Sequence, residues 1–343
     1  MAYLRNVWYP AAWPEEVTPQ PHVRFILDQP IVFYRGESGE ALALSDTCPH
    51  RFAPLHMGKV QGDIIACPYH GLRFGPDGKC VHNPHGGISS TFNIPAYSLA
   101  EHYGLLWIWI GDAPADPEKL PVIPEFADRS FTWVHGTIDV AGNYQLLIDN
   151  LLDLSHVEFM HPMLGMPGAA ARTRYEARVD GDRVYSMYWL DDEPTSPVIR
   201  LSWPDAPEHT RFDARMRWEA PANLALAMRV TTVGGDLENP VISRPTIHLM
   251  TPVSETQTRY FWAAGRNVAT EDQAVSAALR AGTEAAFKNE DAPMIAAIQA
   301  RTKALGENAP AQISFRTDAS AIQARRILAR LTEAQKPQMA EAS

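Results

Sequence analysis

The chain has 343 residues, 45% of them hydrophobic, with 30 basic and 40 acidic side chains and a net charge of −10. That length exceeds what one core usually serves and points to two domains, while the acidic balance argues against nucleic acid or an anionic membrane surface as a partner. Three cysteines are too few for a disulfide framework and point to a reducing, cytoplasmic setting.

The start, MAYLRNVWYPAAWPEEV, has no apolar run of signal-peptide length, because Glu15 and Glu16 interrupt it. No stretch approaches the ~20 apolar residues of a membrane helix. The first part of the chain reads as strands and turns, with Arg24–Leu27, Ile31–Tyr34 and Ala41–Leu44 alternating with Gly, Pro and Asp. Next come Cys48-Pro49-His50 and Cys67-Pro68-Tyr69-His70, the pattern C-x-H-x16-C-x2-H. Two thiolates and two imidazoles suit a [2Fe–2S] cluster in which histidines replace cysteines on one iron, and the neutral ligands raise the potential. The rival is a Cys2His2 zinc site. Zinc fingers pair cysteine with cysteine and histidine with histidine, whereas each half here holds one of each; a red-brown colour separates the two. Cys80 is left unpaired, and His82 and His85 read as loop residues rather than ligands. Leu105–Ile110 reads as a buried final strand. Gly111 to Pro117, followed by Pro121 and Pro124, places a domain boundary that divides the chain into 1–115 and 116–343.

Asn143 to about His161 reads as a helix, apolar almost all round and therefore buried. Asp149, Asp153 and His156 share one face of it at i, i+4 and i+7. Ionisable groups on a buried helix are costly unless compensated, and a metal is the simplest compensation. His156 and His161 stand about 140° apart on a regular helix, so they do not converge while it stays ideal. Pro162 disfavours the α region for His161, and a break is expected between the two histidines. Two histidines and a carboxylate would leave positions open on an iron for dioxygen and substrate. The carboxylate candidates are Glu284, Glu290 and Asp291, and spacing does not choose among them. The plainer reading makes His156 and His161 two satisfied core histidines, or partners of Asp153.

Further along, Arg183–Leu190, Phe212–Trp218, Leu224–Thr232 and Arg259–Ala264 read as strands, Glu271 to about Lys303 as a long helix, and Ala319–Leu331 as a terminal amphipathic helix. Strands bracketed by helices indicate an α+β domain with an antiparallel sheet. A Gln-, Ala- and Glu-rich tail follows Thr332. No G-x-G-x-x-G fingerprint occurs, so a nicotinamide reductant must act through another chain.

The segments RNVWYPAAW, CPHRFAPL, CPYHGLRF, YGLLWIWIGD, NYQLLIDNLLDLSHVEFMH, HLMTP and YFWAAGRN together resemble the oxygenase (alpha) subunit of a Rieske non-heme iron aromatic oxygenase. The similarity is greatest to the group of vanillate O-demethylase, dicamba O-demethylase and toluenesulfonate methyl-monooxygenase. The resemblance implies an N-terminal all-β Rieske [2Fe–2S] domain, residues 1–115, followed by a helix-grip catalytic domain with mononuclear Fe(II), residues 116–343. It assigns Cys48, His50, Cys67 and His70 to the cluster and His156, His161 and Asp291 to the iron. Asp291 is chosen because an acidic pair precedes an apolar helical run, which leaves Glu290 a solvated neighbour.

Asp153, one turn before His156, is placed to orient that ligand's free ring nitrogen. The resemblance adds that it bridges to His70 of a neighbouring subunit, which implies a homotrimer. Asn150 would line the iron site, and Asp149 would be structural. His248 matches a pocket histidine, and Arg229, if inward, can hold a substrate carboxylate; the alternative is a solvent-facing strand arginine. The implied reaction is O2-dependent O-demethylation of a methoxylated aromatic acid to a phenol and formaldehyde, with electrons from a separate NAD(P)H reductase of flavin/ferredoxin type. The alternatives are N-demethylation, methyl or ring hydroxylation, or, from a different class, a Rieske electron-transfer protein, which would need only the first domain.

Overall fold

The structure, a computed structural model, describes residues 3–162, 164 and 167–335; the tail noted above lies mostly outside the described residues. It divides into two compact units, one built on the chain up to Val122 together with Thr251–Glu255, the other on the remainder from Ile123. Among the described residues, no helix is long and apolar enough to cross a membrane.

The first unit is all β. Its strands are β1 (Val7–Ala12), β2 (His22–Ile26), β3 (Gln29–Arg35), β4 (Ala41–Ser45), β5 (Lys59–Gln61), β6 (Ile64–Ala66), β7 (Arg73–Phe74), β8 (Cys80–His82), β9 (Leu99–His102) and β10 (Leu105–Ile110). They form three sheets, ordered β1-β10-β9, β2-β3-β4 and β5-β6-β7-β8. Strand β3 is buried on both faces, and its period of two divides it between two cores. Ile31 and Phe33 pack with Ile108 and Ile110, while Val32 and Tyr34 pack with Leu55, Phe74, Cys48 and Cys67. The thiols thus stand in the wall of an apolar core.

The second unit carries a seven-stranded antiparallel sheet. Its strands are β11 (Thr132–Val140), β12 (Arg174–Asp180), β13 (Arg183–Pro194), β14 (His209–Glu219), β15 (Asn223–Thr232), β16 (Ile242–Ser254) and β17 (Gln257–Arg266). The order is β11-β17-β16-β15-β14-β13-β12. Strands β11, β12 and β16 lie beyond the sequence reading; in β16, Pro245 and Pro252 mask the strand signal.

Two helical segments depart from expectation. The helix expected to run to His161 is Tyr144–Leu152, followed by a 3-10 turn, Leu154–His156, and a short helix, Val157–Met160. The main break therefore falls at Asp153 (φ −108°, ψ 92°), before His156 and not between the histidines. The sheet makes that break tolerable. Ser186 and Tyr188 on β13 donate to the Leu152 carbonyl at 2.5 and 3.1 Å, and the Tyr188 hydroxyl accepts from Leu154 N at 3.0 Å. These bonds satisfy backbone groups that the interrupted helix leaves open. Pro162 acts as expected on its predecessor, since His161 ends the short helix at φ −116°, ψ 84°.

The late helix runs as Gln273–Ala285, a π segment Ala286–Asp291, and Ala292–Leu305. Pro293 has no N–H to donate to the turn before it, and a widened turn is one way to absorb that loss. A terminal helix, Ala319–Ala334, closes the unit.

Candidate metal centres

Two loops in the first unit repeat one design. In the first, Phe52 N donates to Cys48 O and Cys48 N to Ala53 O (2.9 and 3.0 Å); in the second, Gly71 N donates to Cys67 O and Cys67 N to Leu72 O (3.2 and 2.8 Å). Phe52 and Gly71 each take positive φ, 57° and 77°, to close the turn. Glycine suits that geometry; Phe52 adopts it at a steric cost. Each loop thus lifts a histidine from a closed turn whose cysteine points into the core.

Cys48 and Cys67 are buried, whereas His50 is exposed and His70 half-buried. The two rings are 4.5 Å apart. Burial pushes the Cys48 thiol up to about 11, and the neighbouring Cys67 adds to this against the backbone N–H groups of His50 and Arg51, which point at the sulfur. Metal binding must draw the proton off. Desolvation, then His50, Arg51 and His85, hold His70 below the ordinary histidine range, which favours the neutral imidazole that a metal needs. Two buried sulfurs met by amide donors and two rings at the rim fit a cluster with sulfur on one iron and nitrogen on the other.

His82 ends β8 and is exposed. His85 does lie in a turn, but its ring meets the His70 carbonyl at 3.0 Å and is 6.1 Å from the His70 ring. It supports the loop, a contact that spacing alone did not reveal. Cys80 is buried in the same core, unbridged, with its sulfur 3.5 Å from the His82 carbonyl.

In the second unit, His156, His161 and Asp291 converge. His161 Nε2 is 3.3 Å from His156 Nε2 and 3.4 Å from Asp291 Oδ1, and the third side of the triangle is 3.5 Å. An equilateral triangle of that size has corners about 2.0 Å from its centre, the length of a first-row metal–nitrogen bond. The three atoms therefore fit one ion without rearrangement. Three protein ligands leave the remaining positions of such an ion open.

Both rings are aimed from behind. His156 Nδ1 meets the Asp153 carbonyl at 2.6 Å, and His161 Nδ1 meets Glu290 Oε2 at 2.5 Å. Donation from each Nδ1 leaves the Nε2 lone pair facing the ion. Two expectations are corrected here. The Asp153 carboxylate does not orient His156; its main-chain carbonyl does, because Asp153 sits at the break, and the side chain caps Ser155 N at 2.9 Å instead. Glu290 is no solvated neighbour, since the π turn brings two successive acids, Glu290 and Asp291, onto the same imidazole. Burial opposes charge on His161, but the hydrogen bonds and charges of Asp291 and Glu290 outweigh it and raise the pKa. Asn150 donates to Asp291 Oδ1 at 3.2 Å. Asp149 pairs with Arg325 at 2.9 Å, away from the triad.

Beside Asp291 lies a small recess, lined mainly by apolar groups including Leu147, Leu151, Phe287 and Ile295, with Asn150 and Tyr260 as polar exceptions. His248 stands behind Tyr260, 1% exposed, its Nδ1 2.6 Å from the tyrosine hydroxyl. Burial drives its pKa down to about 3, against the pull of Asp291, so the ring is neutral. Its Nε2 has no partner among the described residues.

Arg229 does not fit the expected role. It lies opposite Asp213 in the β14–β15 register and grips that buried carboxylate at 2.9 and 2.6 Å, with Glu238 at 3.0 Å. A guanidinium so committed has little left to offer a substrate.

Comparison with known proteins follows the same lines. The pattern of the Rieske [2Fe-2S] domain matches residues 7–93, and that of the Vanillate O-demethylase oxygenase C-terminal domain matches 140–334. The oxygenase component of dicamba O-demethylase from Stenotrophomonas maltophilia is 33% identical, covering 97% of this chain and 99% of the relative. The oxygenase component of chloroacetanilide N-alkylformylase from Rhizorhabdus wittichii is 35% identical over 87% and 86%. The crystal structure of dicamba monooxygenase bound to 3,6-dichlorosalicylic acid superposes with a TM-score of 0.93 at 31% identity, covering 98% of this chain and all of that one.

Proposed function

The chain belongs to the Rieske non-heme iron oxygenases as an oxygenase component, and on that premise we propose that it removes the O-methyl group of a methoxylated aromatic acid, yielding a phenol and formaldehyde. The observation that carries the reading is the His156–His161–Asp291 triangle beside a largely apolar recess. The family's bound groups supply one-electron transfer at the cluster and dioxygen activation at the mononuclear iron. In the reaction, one oxygen atom enters a methyl C–H bond and the other leaves as water. Two electrons come from NAD(P)H through a separate reductase of flavin/ferredoxin type. The resulting hemiacetal expels the phenol.

The chain's own residues bind and orient. Cys48, Cys67, His50 and His70 would hold the cluster, and His156, His161 and Asp291 the iron. Glu290 and the Asp153 carbonyl fix the ring tautomers, and Asn150 steadies Asp291. The apolar residues beside the triad, Leu147, Leu151, Phe287 and Ile295, offer an aromatic ring a wall to pack on.

The rest of the reading follows the family resemblance. Residues 1–115 house the cluster and 116–343 the iron. The enzyme is a cytoplasmic homotrimer in which the half-buried Asp153 faces His70 of the neighbouring subunit; light scattering on the purified protein tests the assembly.

The deciding experiment supplies reductase, NADH and a panel of methoxylated benzoates and measures formaldehyde. Release from at least one acid is expected, and none from any would reject the reading. A second reading, N-dealkylation of an anilide, is favoured by the N-alkylformylase relative. Aldehyde from N-alkyl anilides but not from methoxybenzoates would select it.

A further inference from the structure

The sheet face that carries His248 also carries two cations with no anion. The β15–β16 register sets Leu224 opposite His248 and Met228 opposite Arg244. The β11–β17 register sets Gly136 opposite Trp262 and Thr132 opposite Arg266. Strands β16 and β17 are neighbours, tied by Asn267 N donating to Ser243 O and Ser243 N donating to Asn267 Oδ1. Counting back from that antiparallel pair puts Arg244 opposite Arg266 and His248 opposite Trp262. Residues directly opposite share a face, as do alternate residues of one strand. Arg244, Thr246 and His248 therefore line one face with Arg266, Trp262 and Tyr260. His248 and Tyr260 pack on Phe287, four residues before Asp291 and part of the same π segment. Arg229, next to Met228 in β15, has the opposite parity and serves the other face.

Arg266 is 1% exposed and gives its N–H groups to the carbonyls of Ala269, Thr270 and Asp272 and to Ser276 Oγ, yet its Nη1 is buried without a partner among the described residues. Among the described residues, the one hydrogen-bond partner of Arg244 is the Ser202 hydroxyl, and its Nε is likewise buried and unsatisfied. Neither arginine pairs with a carboxylate among the described residues, whereas Arg211, Arg215, Arg217 and Arg259 on the same sheet each do. Burial, then the facing Arg266, oppose the charge on Arg244. A guanidinium stays ionised regardless, so this pair is costly until an anion arrives.

We propose that Arg244 is the specificity-determining anchor of the substrate, its planar fork holding the oxyanion of an aromatic acid, carboxylate or sulfonate, with Arg266 as the second cation behind it. This rests on the aromatic-acid reading above and moves the charge contact from Arg229 to the iron-side face of the sheet. The anion would be fixed along the same face as His248, so the ring's far end is presented toward Asp291.

The test is calorimetric binding to the loaded protein without reductant, so that no turnover is needed. The probes are methoxybenzoates and methoxybenzenesulfonates, each matched with the uncharged methoxybenzyl alcohol. Arg244→Met is expected to weaken acid binding about 10- to 100-fold, the loss of a charged hydrogen bond, and to leave the alcohols within about twofold. Arg244→Lys, which keeps the charge but not the fork, should lose less on the same acids and again spare the alcohols. It serves alone if the methionine variant does not fold. The acid whose binding depends on Arg244 names the head group. Equal losses for acids and alcohols, unchanged acid binding, or no acid binding by the parent protein would overturn the proposal. Arg244-dependent acid binding without formaldehyde on turnover would uphold it and reject O-demethylation instead.

Discussion

The cluster loops and the iron triad solve the same problem, holding metal ligands still, with opposite materials. Each cluster loop is a turn that closes on itself within six residues, Cys48 to Ala53 and Cys67 to Leu72, and its cysteine is fixed by the core beneath. The triad instead joins segments 129 residues apart, with Glu290 reaching His161. Its geometry depends on a broken helix, a widened helix and the sheet that patches the break. Local turns make the first site robust and exposed. Tertiary packing makes the second buried and adjustable.

The largest test of that contrast removes one ligand from each side. Asp291→Ala is expected to abolish turnover and to cost about one iron per chain, while the cluster's visible spectrum is unchanged. Cys67→Ala should bleach that spectrum and leave Fe(II) titration of the helical site intact. A bleached cluster in the Asp291 variant would mean that the two sites are not separately built. Next in size, Glu290→Ala should weaken Fe(II) binding about 10- to 100-fold through loss of the partner behind His161; an unchanged titration would return Glu290 to the solvent role first expected of it.

The pH dependence sharpens the comparison further. His161 carries a raised pKa in the metal-free chain because Asp291 and Glu290 together outweigh its burial. Below that value a proton occupies the nitrogen that the metal needs. Apparent Fe(II) affinity should therefore climb by up to about tenfold per pH unit and level off above it, as titrations from acid to mildly alkaline pH would show. The sign for stability is opposite. The shift stabilises the metal-free fold below the unfolded value of about 6.5, and the contribution is lost as pH rises through the raised value. The smallest effect belongs to Asn150→Ala, which removes a 3.2 Å hydrogen bond to Asp291 and should cost about 1 kcal/mol, roughly fivefold, in Fe(II) affinity.

The same contrast explains what could be read from the letters. Cys48, His50, Cys67 and His70 announce a cluster because each pair acts within a single turn, where spacing and geometry are nearly the same thing. His156 and His161 were legible as candidates that a broken helix would bring together, but not the place of the break. The break sits at Asp153 because Ser186 and Tyr188 wait on another strand to cap it, and no local pattern encodes that. The choice of Asp291 came from family resemblance, and Glu290 escaped because only a widened turn lets consecutive residues reach one ring. Arg229 misled because which face of β15 meets the helices is a matter of register. Opposite Asp213 it is a structural cation, and the arginine that faces the iron side, Arg244, stands on a strand that two prolines disguise.

The stretch Ala286–Asp291 winds wider than the helices on either side of it. Chain length is consequently an ingredient of the iron site, separate from residue identity. Excising a single residue there would let the coil tighten to ordinary pitch, leaving the helix beyond nearly in phase but closing the wide turn that brings Glu290 and Asp291 onto one ring, although every ligand survived. Alanine scanning would never expose that requirement; a one-residue deletion series would.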